Sequence, residues 1–176
     1  SRQFIARIKR IQCKSSWPIN EFANILPDNW RGWPESKKFA LLLTHDVESD
    51  IGQTKCKILA NIEMSYNLRS SFNFIPERYK VSLETRNWLV NNGFEVCVHG
   101  LNHDGKLYFS KKIFMQRKNR INHYLNKWEA VGFHSPSSHR NLELLHKLKI
   151  EYDQSTFDTD PFEPCPQGVK TIFPFW

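Results

Sequence analysis

The chain has 176 residues, of which 40% are hydrophobic and 24% charged, a length and balance typical of one folded domain with a sizeable core. No apolar run approaches the roughly 20 residues that a membrane-spanning helix needs, so we expect no transmembrane segment. The excess of 25 Lys and Arg over 18 Asp and Glu is spread in short clusters, which favours solvated surface over a nucleic-acid partner. The N-terminal residues lack the apolar core of a signal peptide, and both the cytoplasm and the cell envelope stay open as locations.

Regular structure is expected to begin only after a lead-in. Residues 1–38 are rich in Trp, Pro and Asn, which predicts irregular structure with turns, and residues 39–176 are expected to form the functional domain. Within that domain strands and helices alternate. Strands are predicted at 39–43, 71–75, 94–98, 131–133 and 150–152, and helices at 52–66, 82–91, 110–128 and 141–148. The alternation predicts an α/β domain with a parallel sheet, whose first strand, the apolar run Phe39–Leu43, is buried on both faces.

Polar side chains of catalytic types follow the ends of the predicted strands. Asp46 and Glu48 come after the first strand, His99 and His103 after the third, and His134 after the fourth. In parallel α/β folds the active site lies at the carboxyl ends of the strands, where the following loops begin. We therefore expect these five side chains to lie near one another.

The spacing within this set is typical of a metal site. His99 and His103 are four residues apart, so both imidazoles can reach one ion if the strand continues into a helical turn. Asp46 and Glu48 are separated by one residue and project to the same side of an extended chain, as a metal ligand and a general base require. Catalytic zinc uses three protein ligands and one open position, which two histidines and one carboxylate supply.

The segment after the fourth predicted strand has two interpretations. Residues 132–138 form a loop stiffened by Pro136, and its backbone N–H groups could form an oxyanion hole. Alternatively, the segment is a strand-to-helix turn in which the serines cap the next helix, and spacing alone favours this second interpretation. No Gly-rich phosphate loop and no GxSxG elbow is present.

Taken in order, the motifs resemble those of a known family. They are Leu-Leu-Thr-His-Asp-Val-Glu at 42–48, Glu-Val-Cys-Val-His-Gly-Leu-Asn-His at 95–103, Gly-Phe-His-Ser-Pro at 132–136, and Tyr-Asp-Gln-Ser at 152–155. The set is similar to that of the polysaccharide deacetylases, the NodB-homology carbohydrate esterases, in the branch whose first motif reads His-Asp-Val-Asp/Glu. The resemblance implies a deformed (β/α) barrel of about seven strands and a metal-dependent hydrolase that removes N-acetyl groups from a glycan.

The resemblance also implies roles for individual residues. Asp46 would be the general base, and Glu48, His99 and His103 would bind the metal. The metal would be Zn²⁺, with Co²⁺ and Ni²⁺ as alternatives. A backbone N–H near Ser137 would help to hold the oxyanion, and the partner would be an N-acetylated glycan.

Three departures from the family pattern keep alternatives open. Glu48 stands where Asp is more usual, so Asp46 could be the metal ligand instead. His134 stands where the family has an Arg that orients the base, and a neutral imidazole supplies no fixed charge. No His follows His146, so the family's last motif, with its general acid, has no counterpart; the chain would be truncated, take its acid from elsewhere, or be impaired in catalysis. The alternatives are hydrolysis of another non-peptide C–N bond, such as a small cyclic amide, and a non-catalytic carbohydrate-binding relative.

Overall fold

The computed structural model describes residues 26–156 and 173–175. Residues 41–155 form one compact unit, and the other described residues belong to a second unit. In the second unit Trp30 packs edge-on against Trp33, with ring centroids 5.0 Å apart, and Phe173 lies 5.3 Å from Trp30. A single 3-10 turn at Pro34–Ser36 is its regular element within the described residues. The predicted domain boundary at residue 38 stays a prediction.

The larger unit contains five parallel strands joined by helices. The strands are β1 Thr44–Val47, β2 Ser71–Phe74, β3 Glu95–Val98, β4 Gly132–Phe133 and β5 Tyr152–Asp153. The helices are α1 Asp50–Ser65, α2 Leu83–Asn91, α3 Lys111–Trp128 and α4 Leu142–Leu145. The strands lie in the order β1-β2-β3-β4-β5, and every neighbouring pair is parallel. Each crossover thus reaches the next strand, as in the wall of a (β/α) barrel and unlike a doubly wound sheet, whose order reverses. The predicted α/β class is confirmed.

Side-chain caps fix where the helices begin. The side chains of Ser49, Ser82, Ser110 and Asn141 each accept a hydrogen bond from the backbone N–H three residues later. The first three helices agree with the predicted ranges to within two residues at each end. The fourth is shorter than predicted, because the chain after Leu145 tightens into a turn in which Lys147 and Leu148 donate to carbonyls three residues back.

The first strand begins later in the sequence than predicted. Phe39, Leu41 and Leu42 are exposed, at 75%, 68% and 79%, so the prediction of a strand at 39–43 buried on both faces is wrong. Pairing begins at Leu43, whose carbonyl accepts from the N–H of Ser71, because the chain before Ser71 turns back into the end of α1 and offers no partner strand. As a result Asp46 lies within β1 and does not follow it.

The two faces of the sheet differ in character. Successive side chains alternate, and one set packs against the helices to form the apolar core: Val47, Phe72, Phe74, Val96, Val98 and Phe133. The other set includes the fully buried polar residues Asn73 and His99. The face turned away from the helices therefore carries the polar groups. No helix in the described part of the chain is long and apolar enough to cross a membrane.

Candidate metal centre

Three strand ends bring the predicted site residues together. Val47 is turned into the core, so its neighbours Asp46 and Glu48 point to the opposite face of β1. His99 follows β3, and its N–H donates to the carbonyl of Phe74 on β2. His134 follows β4, and its N–H donates to the carbonyl of Val98 on β3. Sheet hydrogen bonding thus continues one residue past these strands and holds both histidines in line with Asp46.

The loop after β3 is not the helical turn that the His spacing suggested. Gly100 has φ 66° and His103 has φ 54°, so two left-handed residues fold the loop back toward the sheet. A Cβ on Gly100 would lie 2.5 Å from Cγ of Pro136, so the loops after β3 and β4 are in direct contact there. This folded loop brings the His103 ring to 5.2 Å from that of His99, between ring centroids.

Glu48, His99 and His103 form a group with the donor atoms of a metal site. Their potential ligand atoms all lie within 4.8 Å of one another, and Nε2 of His103 is 3.1 Å from Oε1 of Glu48. The Nε2 atoms of both histidines are buried and have no hydrogen-bond partner among the described residues. Buried imidazole nitrogens that make no hydrogen bond and lie beside a carboxylate fit a bound divalent cation, for which two His and one Glu are a known catalytic zinc set.

The tautomer of His99 suits this role. Its Nδ1 lies 2.9 Å from the carbonyl oxygen of His134, which can only accept, so Nδ1 carries the proton. Burial lowers the pKa of His99 to about 4, although the nearby Asp46 carboxylate acts in the opposite direction. His99 is therefore neutral at pH 7, and its Nε2 lone pair points into the site.

Asp46 belongs to a second group, with His99 and His134. The ligand atoms of this group also lie within 4.8 Å of one another, and it shares His99 with the first group. Here, however, Nδ1 of His134 lies 2.9 Å from Oδ1 of Asp46, and the Asn73 amide donates to the same oxygen at 3.0 Å. The amide nitrogen of Asn73 is 3.4 Å from Nδ1 of His134. This short distance arises because both nitrogens donate to the same oxygen, Oδ1 of Asp46. Asp46 and His134 thus satisfy each other, and the first group fits a metal better.

The electrostatics of Asp46 favour its charged form. Burial raises the pKa of Asp46, but the hydrogen bond from His134, the charges of His99 and His134 and the bond from Asn73 together outweigh burial and hold it at about 2. Its second oxygen, Oδ2, is 3.6 Å from Nε2 of His99. The anionic carboxylate of Asp46 therefore lies beside the group of Glu48, His99 and His103, with its Oδ2 turned toward His99.

The predicted oxyanion loop is well anchored. The N–H of Ser135 donates to Oγ of Ser155 at 2.7 Å, and the hydroxyls of Ser135 and Tyr108 are 2.6 Å apart. Ser137 follows in an exposed left-handed position with φ 56°. The contact of Pro136 with Gly100 brings this loop next to His99. The role of the Ser137 N–H as an oxyanion donor stays a prediction.

Three residues at the site were not singled out from the sequence. Asn73 contacts Asp46, Gln154 contacts Asn73 at 3.2 Å, and Nη1 of the half-exposed Arg78 is 3.4 Å from Oε2 of Glu48. The strand Ser-Phe-Asn-Phe at 71–74 alternates polar and apolar residues, which is a signal that one of its faces is polar. Arg78 has no such signal, because it lies in the loop after β2, where charged residues are common.

Comparison with solved structures identifies the fold. No protein-family model matches the sequence, and no curated protein does. A provisionally named polysaccharide deacetylase from Mycobacterium smegmatis matches with a TM-score of 0.60 and 17% identity, over 78% of this chain and 57% of that one. A CE4 family pseudoenzyme from Bacillus anthracis matches with a TM-score of 0.54 and 15% identity, over 64% of this chain and 41% of that one.

A third match is the CE4 domain of a multidomain xylanase from the hindgut metagenome of Trinervitermes trinervoides. Its TM-score is 0.51 at 15% identity, over 67% of this chain and 57% of that one. The chain thus spans 57% or less of the length of each of these three structures. Its fold is that of the polysaccharide deacetylases. The resemblance inferred from the sequence motifs is confirmed at the level of the fold.

Proposed function

We propose that the chain is a metal-dependent hydrolase that removes N-acetyl groups from a carbohydrate. The observation that carries the proposal is the convergence of Glu48, His99 and His103, with two buried Nε2 atoms that make no hydrogen bond within the described residues, beside the anionic Asp46. The deacetylase fold supports the reaction class, because its structural neighbours include proteins named as deacetylases or CE4 family members.

Glu48, His99 and His103 would hold the ion. Zinc is the ion that this donor set fits most commonly, and Co²⁺ or Ni²⁺ accept similar ligands. When bound, such an ion polarises the amide carbonyl and lowers the pKa of a water molecule.

Asp46 would act as the general base. Oδ2 lies on the His99 side of the carboxylate, and the low pKa keeps the group deprotonated and ready to accept a proton at neutral pH. His134 would hold the other oxygen through its Nδ1–H, in place of the arginine that the family uses. The N–H of Ser137 would donate to the oxyanion as the acetyl carbon becomes tetrahedral.

A second candidate function is a carbohydrate-binding relative that retains the site without turnover. The match to a structure described as a pseudoenzyme supports it, and so does the imidazole at position 134, where a fixed cation is absent. Hydrolysis of another non-peptide C–N bond would use the same site, and substrate tests distinguish it.

The first experiment is elemental analysis of three proteins: the wild type, His103→Ala and the control His123→Ala, which removes an exposed histidine on α3. We expect one equivalent of metal in the wild type and the control, and loss of the metal in His103→Ala. Acetate release from N-acetylated sugar oligomers is then measured beside Asp46→Asn, which we expect to lower kcat at least a hundred-fold.

The outcomes separate the candidates. Metal without acetate release from any oligomer would favour the binding relative, and release of a product from a cyclic amide would favour the other hydrolase. No metal in the wild type after incubation with zinc would contradict the hydrolase mechanism altogether.

A further inference from the structure

We propose that Asn73 is a positioning residue for the Asp46 carboxylate, held in place by Gln154. The side chain of Asn73 is on β2, and its Nδ2 donates to Oδ1 of Asp46 at 3.0 Å and to Oε1 of Gln154 at 3.2 Å. Both hydrogens of the amide are therefore in use. The inference rests on the proposed function, since it concerns the residue proposed there as the base.

Gln154 determines which way the Asn73 amide faces. Its own Nε2 donates to Oγ of Ser71 at 2.9 Å, which leaves its Oε1 as an acceptor toward Asn73. With acceptors on both Asp46 and Gln154, the amide nitrogen of Asn73 has to face them, because its oxygen would be repelled by both. A chain of three polar side chains thus connects the interior of the sheet to the carboxylate.

The burial of Asn73 indicates a role beyond packing. The residue is fully buried, and its Oδ1 has no hydrogen-bond partner among the described residues. A buried carbonyl without a partner lowers the stability of the fold, whereas an apolar side chain of similar volume would avoid this cost. The amide does supply a donor to Asp46, which an apolar side chain could not.

The arrangement assigns different roles to the two oxygens of Asp46. Oδ1 receives the hydrogen bonds from both Asn73 and His134, whereas Oδ2 faces Nε2 of His99. With Oδ1 occupied twice, Oδ2 is the oxygen left to accept a proton. Two donors, one on β2 and one directly after β4, also prevent rotation of the carboxylate, which one imidazole alone would allow.

The test compares Asn73→Leu, which keeps the volume and removes the donor, with Asn119→Leu, the same change at an exposed position on α3. Each protein is checked for folding by thermal unfolding and for metal by elemental analysis. We expect Asn73→Leu to bind metal normally and to keep KM within about two-fold, while kcat falls about ten- to a hundred-fold, the loss typical of one hydrogen bond to a charged group. Asn119→Leu should match the wild type.

Gln154→Leu provides a second variant and covers the case in which Asn73→Leu does not fold. It leaves the donor to Asp46 in place but removes its support, so we expect a smaller loss of kcat. In the double variant the losses should be less than multiplicative, because both changes act on one hydrogen bond. Unchanged kcat in folded Asn73→Leu, or multiplicative losses in the double variant, would overturn the inference.

A measurement that does not depend on catalysis, the visible absorption of the cobalt-loaded protein, separates this inference from the proposed function. A wild type that releases no acetate would refute the function alone. The visible absorption of the cobalt-loaded protein then decides the role of Asn73. We expect Asn73→Leu and Asp46→Asn to shift the band in the same direction, and the double variant to equal Asp46→Asn. A spectrum that Asn73→Leu leaves unchanged would refute the positioning role.

Discussion

Gly100 is the residue that allows the loops after β3 and β4 to meet beside the proposed metal ligands. Its φ is 66°, and a Cβ would lie 2.5 Å from the ring of Pro136. Gly105 has a similar φ of 71°, but a Cβ there would have no atom within 4 Å. We expect Gly105→Ala to destabilise the protein by about 1 kcal/mol through backbone strain alone, and Gly100→Ala by about 2 to 4 kcal/mol because the clash adds to the strain.

The comparison is made by urea unfolding of both variants, with metal content as the second measurement. Gly100→Ala should also weaken metal binding, because the clash displaces His99, whereas Gly105→Ala should not. Equal effects of the two changes on stability would show that Pro136 moves aside without cost.

The burial of His99 makes the metal-free protein sensitive to acid. The folded-state pKa of His99 is about 4, below the ordinary value of 6.5, so folding favours the neutral ring. Its contribution to stability is complete above pH 6.5 and is lost as the pH falls from 6.5 to 4, by about 3 kcal/mol. Asp46, whose pKa is lowered from 3.8 to about 2, loses its contribution only below pH 4, in a separate range.

Urea unfolding of chelator-treated protein at several pH values between 7 and 4 measures the slope of the free energy of unfolding against pH. His99→Asn should flatten it, and the exposed His123→Asn should leave it as in the wild type. A wild-type slope that survives in His99→Asn would assign the acid sensitivity to other groups.

Among the elements, α1 packs against the sheet with both apolar and polar side chains. Its buried residues are Gln53, Cys56, Ala60 and Glu63. Glu63 accepts from Ser70 at 2.6 Å and lies 2.5 Å from Nε2 of His45. Because Glu63→Ala leaves the buried Ser70 hydroxyl and the partly buried His45 ring without this partner, we expect it to destabilise the protein by about 2 to 3 kcal/mol.

The matched control is Glu84→Ala, which removes a carboxylate from an exposed ion pair with Lys57. Exposed pairs contribute little, so thermal unfolding of this variant should resemble that of the wild type. If both variants unfold alike, the contacts of Glu63 do not hold α1 to the sheet.

The elements that the sequence predicted well are those with local signals. Ser82 and Ser110 cap their helices, and a cap depends only on residues three positions apart. The first strand was misplaced because an apolar run does not reveal where a partner strand starts. Its pairing is set by Ser71, twenty-eight positions after Leu43, and by the turn that precedes it. Such long-range constraints have no signature in a window of ten residues.

The same contrast applies to the candidate site. Asp46, Glu48, His99, His103 and His134 were predicted to lie together because carboxyl ends of parallel strands meet at one edge, and the structure places them there. Asn73 was not among the predicted site residues because it lies inside the second strand and not after its end, and only its contact with Asp46 reveals it. The left-handed loop at 100–103 was also missed, since the close approach of Gly100 to Pro136 joins residues far apart in the sequence.

At the scale of the whole molecule, binding of the proposed metal would stabilise the folded state. A ligand that binds only the folded state at one hundred times its dissociation constant stabilises it by about 2.7 kcal/mol, or about 5 to 10 °C in Tm for a chain of this size. We expect this rise with Zn²⁺ and no comparable rise with Mg²⁺, which prefers oxygen ligands. His103→Ala should abolish the rise, and His123→Ala should retain it.

The same measurement decides which carboxylate binds the metal. His99 is common to both groups, and its Nδ1 is occupied by the carbonyl of His134, so only one group can hold an ion at a time. If Glu48, His99 and His103 are the ligands, Glu48→Gln removes the zinc-dependent rise in Tm, and Asp46→Asn keeps it while abolishing turnover. The reverse pattern would move the metal to Asp46, His99 and His134. It would also leave Glu48, beside Arg78, as the carboxylate available to act as the base.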